Sequence, residues 1–85
     1  MILLKYQVTL YILGISQIDN YYSIEKKITG LGGIISIKGS LPKGKIVIEF
    51  KPNFVSTKEI VNIIENLGFA VVKNIQREYC FDKYN

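Results

Sequence analysis

Apolar and polar residues alternate from Lys5 to Ile12. Tyr6, Val8, Leu10 and Ile12 fall on one side, and Lys5, Gln7, Thr9 and Tyr11 on the other. A period of two predicts a half-buried β-strand. Gly14 breaks the pattern. From Tyr21 the apolar period lengthens: Ile24, Ile28 and Leu31 sit at i, i+4 and i+7, with Glu25, Lys26 and Lys27 on the wet side. That spacing predicts a helix ending near Leu31, followed by a left-handed turn at Gly30, Gly32 or Gly33. Ser16, Asp19 and Asn20 are its candidate N-caps. Ile34–Gly39 reads as a second strand, in which Gly39 marks a weak edge or a bulge. Leu41-Pro42-Lys43-Gly44 is turn chemistry. Lys45–Lys51 alternates again, with Ile46, Ile48 and Phe50 on one face and Val47 and Glu49 on the other, which completes a hairpin.

Ser56-Thr57-Lys58-Glu59 has the spacing of a capping box. The apolar stripe Ile60, Ile63, Ile64 and Leu67 follows it, and Gly68 ends that helix. Phe69–Glu78 is the last predicted strand. The chain thus reads as one domain over residues 1–78 with a polar, aromatic tail over 79–85. The order β-α-β-β-α-β predicts an α+β, ferredoxin-like sandwich: a four-stranded antiparallel sheet with two helices on one face.

Composition narrows the function more than the fold. Of 85 residues, 48% are hydrophobic and 21% charged, so a packed core is expected and disorder is not. The absence of histidine excludes His-dependent catalysis and Cys/His zinc sites within one chain. No nucleophile–base pair stands out, and the expectation is a protein that is not an enzyme. The formal charge is +4, with the lysines spread along the sequence, so no nucleic-acid partner is expected. No apolar run is long enough for a bilayer and no signal segment is evident, which predicts a cytoplasmic protein with no membrane partner. Cys80 is the single cysteine. It should lie at the end of the sheet opposite Gly14, where a packed or idle thiol is the plain reading. A thiol shared between two copies is the sharper one.

The residues from about Val8 to Val72 resemble the heavy-metal-associated domain of copper chaperones, mercury-binding proteins and metal-pumping ATPases. Leu10-Tyr11-Ile12-Leu13-Gly14-Ile15-Ser16 is similar to that family's first strand and its Gly-Met-Thr turn, with Ile15 in place of a buried Met. Gly44–Pro52 and Val55–Phe69 are similar to its third strand and second helix. The resemblance implies the fold, and a metal site in the loop from Gly14 to Asn20. The family holds soft metals with Cys-x-x-Cys; Gln17 and Asn20 occupy those positions here. Neutral amides do not replace thiolates, so the soft-metal site is expected to be lost.

Gln17, Asp19 and Asn20 remain the candidate metal-site residues. An oxygen-donor site for a hard cation such as Ca²⁺ is one reading of them. The plainer reading is a helix N-cap at Asp19, since one carboxylate is few for calcium. The second candidate region is the open sheet face, where Gln7, Thr9, Tyr11, Val47 and Glu49 should point outward. Tyr11 has no aromatic counterpart there, so a protein partner or a second copy of the chain fits better than RNA.

Overall fold

In the computed structural model, which describes residues 2–15 and 17–82, alternation and helical stripe both become elements. The strands are β1 (Ile2–Leu13), β2 (Ile34–Ser40), β3 (Lys45–Phe50) and β4 (Ala70–Asp82), and the helices α1 (Ile18–Thr29) and α2 (Thr57–Asn66). The sheet order is β2-β3-β1-β4 and every pairing is antiparallel. This is the expected ferredoxin-like arrangement.

The core is the set that the two periods select. Val8, Leu10 and Ile12 from β1 and Ile46, Ile48 and Phe50 from β3 are buried against Ile24 and Ile28 of α1 and Ile60 and Ile64 of α2. Each such side chain contributes about 1.5–3 kcal/mol by leaving water. Ile63 and Leu67, also on the predicted α2 stripe, pack at its margin.

The two helices end differently. After α2, Gly68 takes φ +98°. Its N–H bonds the Glu65 carbonyl at 3.0 Å, and the Phe69 N–H bonds the Ile64 carbonyl at 3.4 Å. That is a Schellman closure. After α1, Gly30 stays right-handed (φ −73°), and the left-handed residue is Gly33, with φ +90°. The expected left-handed turn therefore comes four residues beyond Thr29 rather than at the helix end.

Gly39 is not a bulge. The irregularity in the β2–β3 register lies between Ile34 and Ser36. Gly39 instead makes room for a ring: a Cβ there would come within 2.3 Å of Tyr21 Cε1. Tyr21 in turn donates its hydroxyl to Glu25 Oε2 at 3.0 Å. Burial, and then that bond, push its phenol up to about 12.

β4 runs four residues past the strand end expected at Glu78. Its backbone pairs with β1 as far as Ile2–Asp82. Cys80 pairs with Leu4, at the end of β1 opposite Gly14. Ten residues of strand separate those positions, about 33 Å at the usual rise. Residues 83–85 of the expected tail, and Ser16 among the candidate caps, lie outside the described residues.

Candidate functional site

The loop between β1 and α1 is held from three sides. The Ile12 N–H donates to the Gly44 carbonyl at 2.7 Å, which ties the end of β1 to the β2–β3 turn. Gly14 takes φ +88°, a conformation that favours glycine, with the Phe69 ring 3.7 Å from where its Cβ would be. Ile15 then turns inward and is 1% exposed, filling the core position expected of it.

The helix starts before Asp19 and Asn20, two of its three candidate caps. Gln17 is the N-cap residue, and its side chain makes no capping bond. Asp19 lies in the first turn of α1, exposed, so it faces the positive end of the helix dipole without capping it. The Asn20 side-chain nitrogen donates to the Gly14 carbonyl at 2.9 Å and closes the loop on itself. The three candidate metal-site residues are thus neighbours. Their donors are two neutral amides and one carboxylate, and one amide is already bonded within the loop. That set does not fit a soft metal ion, whose preferred ligands are thiolates. Among the described residues no group of three or more His, Cys, Asp or Glu side chains comes together.

The second candidate region is the open face of the sheet. Gln7 lies opposite Glu49 and Thr9 opposite Val47, and these four residues and Tyr11 are half-buried. Glu49 is the best-connected of them. It accepts from Lys5 Nζ at 2.8 Å and from the Ser36 hydroxyl at 2.7 Å. The Lys5 bond, then the Ser36 bond, hold its carboxyl below the usual carboxylate range.

Sequence order hides what the register assembles on this face. One row across β2, β3, β1 and β4 reads Ser40, Lys45, Tyr11, Lys73. The next reads Lys38, Val47, Thr9, Ile75. A third reads Ser36, Glu49, Gln7, Arg77. The Lys73 ammonium sits 5.9 Å from the centre of the Tyr11 ring, which places both on the same side. Lysines from three separate strands therefore share one surface. Only period-two parity combined with the strand register could have revealed this.

An open cleft between the helices, lined by Ser23, Lys26, Lys27, Leu31, Ile63 and Leu67, shares no residue with the loop. No helix among the described residues is long and apolar enough to cross a membrane.

No protein-family model matches the chain. It is 38% identical over 58 residues to the rat copper-transporting ATPase 2, a match spanning 68% of this chain and 4% of that protein. A Bacillus anthracis protein described as copper-ion-binding is 30% identical in solution structure, with a TM-score of 0.74 over 79% of this chain and 94% of that one. The metallochaperone CopZ shares the fold at a TM-score of 0.74 and 23% identity, over 78% of this chain and 98% of its own.

Proposed function

This chain belongs to the heavy-metal-associated domain family, and from that premise we propose a non-enzymatic binding domain of a metal-handling system whose loop no longer carries soft metal. The observation behind this reading is the pair Gln17 and Asn20, standing where the family presents two thiols. Relatives named for copper transport and copper-ion binding support the metal-handling context.

The physical argument is one of donor chemistry. Cu(I) and its analogues select polarizable sulfur, and thiolates neutralise the ion's charge as they bind. An amide oxygen does neither. The Asn20 bond to Gly14 also keeps the loop closed without a metal to organise it. What the domain retains is a rigid surface, and its work is contact with a protein partner.

The test is a titration with Cu(I), Zn²⁺ and Cd²⁺, followed by backbone amide shifts. No sub-micromolar binding is expected. Sub-micromolar binding centred on Gly14–Tyr22 overturns the reading. A calcium arm addresses the oxygen-donor alternative: saturable shifts around Asp19 at millimolar Ca²⁺ support it, and their absence removes it.

A further inference from the structure

The net charge of the whole chain is +4. Its distribution is uneven. The described open sheet face carries Lys5, Lys38, Lys45, Lys73 and Arg77 against Glu49, the one carboxylate there among the described residues. The helices carry Lys26, Lys27 and Lys58 against Asp19, Glu25, Glu59 and Glu65. Between these two sides of the molecule the positive excess sits on the face that no helix covers.

That face has an apolar centre as well. Val47, Thr9 and Ile75 lie side by side in the middle row, and Ile75 is 39% exposed. Tyr11 stands in the next row with its ring under Lys73. Rows along a strand are about 6.7 Å apart and strands about 4.8 Å apart. The apolar centre is thus within one side-chain reach of Lys38, Lys45, Lys73 and Arg77.

We infer that this face binds an acidic, amphipathic segment of another protein, with its carboxylates on Lys38, Lys45, Lys73 and Arg77 and its apolar side chains on Val47, Ile75 and Tyr11. Charge complementarity selects the occupant. A second copy that brings the same positive face is repelled. A single-stranded nucleic acid needs aromatic platforms for its bases, and Tyr11 faces Lys45 on β3 with Val47 diagonal to it. Glu49 lies in the path of a phosphate backbone, whereas a polypeptide can avoid it by placing a neutral residue there.

The inference deepens the binding-domain reading and rests on it. The two fail separately: the metal titration probes the loop, and the following experiment probes the sheet. The intact chain is titrated with a soluble Glu/Leu amphipathic peptide, its Lys/Leu counterpart and an oligo-uridine, with amide shifts as the readout. Saturable shifts on β1, β3 and β4 with the acidic peptide alone are expected. The affinity should fall as salt rises, and roughly tenfold in the Lys45→Glu, Lys73→Glu double variant, since the reversed charges oppose the peptide. The Lys26→Glu, Lys27→Glu variant on α1 should bind as the wild type does. Absence of saturable binding, equal binding by both variants, tighter binding of the oligonucleotide or self-association through this face would each overturn it. Because Lys73 is exposed and Lys45 half-buried, amide dispersion of the variants reports whether the fold is kept, and a Lys73→Ala variant gives a milder version of the same loss.

Discussion

The two helices begin at equivalent places, each just after a strand of the central pair, and they begin in opposite ways. At α2 the Ser56 hydroxyl accepts from the Glu59 N–H at 3.2 Å and donates to the Glu59 carboxylate at 3.3 Å. The next residue, Thr57, donates its hydroxyl to Gln76 Oε1 and links the helix start to β4. At α1 the N-cap is Gln17, with no side-chain cap, and the Asn20 side chain bonds back to Gly14. The α2 start is closed by its own side chains, which fix the helix. At the α1 start the Gln17 side chain caps nothing, and Asn20 is used to shape a loop. A family that binds metal at this position needs the α1 end accessible. In this chain that end carries Gln17 and Asn20 in the positions where the family presents thiols.

The strongest way to break the contrast is to place two thiols in that loop. A Gln17→Cys, Asn20→Cys variant should move from no saturable Cu(I) binding to sub-micromolar binding, read by competition with a chromogenic Cu(I) chelator. If the doubly substituted chain stays inert, the loop geometry does not suit the ion even with sulfur in place.

Next in size, the buried stripes of the two helices should prove equivalent. Ile24→Ala and Ile60→Ala each remove a fully buried side chain, both 0% exposed. Each should cost about 2–5 kcal/mol in urea unfolding. A large difference between them would mean that the helices differ in packing as well as in their starts.

The caps come below that. Ser56→Ala should destabilise by about 1 kcal/mol, because the Glu59 N–H loses its acceptor. Gln17→Ala should change stability by a few tenths at most, within about 0.5 kcal/mol, since its side chain caps nothing. Equal losses in chemical denaturation would erase the distinction between the two starts.

The smallest effect belongs to Tyr21, which fastens α1 over Gly39. Its phenol is pushed up to about 12 from the ordinary 10.0, so folding favours the neutral form. The associated stability is present below pH 10.0 and fades as pH rises towards about 12. Phenolate absorbance should show a late-titrating step, and Tyr21→Phe should remove it. A titration at the ordinary value would mean that the ring is not held against the glycine.

These differences also measure what could be read without coordinates. The core was legible because Val8, Leu10, Ile12, Ile46, Ile48 and Phe50 keep strict period two and are all buried. The Ser56 box was legible because both its partners lie within four residues. The α1 start was not: Ser16, Asp19 and Asn20 all have capping chemistry, and a local rule cannot tell which one the third dimension will use elsewhere. The far end of β4 and the gathered cations were hidden for a related reason. Tyr79–Asp82 become strand because β1 supplies a partner almost a whole chain length away. Lys38, Lys45 and Lys73 become neighbours only through register.

The pairing of Ile2 with Asp82 at the tip of β1 and β4 has a mechanical consequence. Both ends of the described chain leave the sheet at one corner, on adjacent antiparallel strands. The hydrogen bonds between such strands lie perpendicular to them. A force pulling those two ends apart therefore acts along the bonds and opens them one pair at a time, as a zipper opens. Held between two anchors, this domain should yield at low force and lengthen gradually, whatever its stability against heat or urea. Force spectroscopy with handles at the two ends should record that as a low, broad unfolding event, in contrast to the sharp rupture of a sheet sheared along its strands.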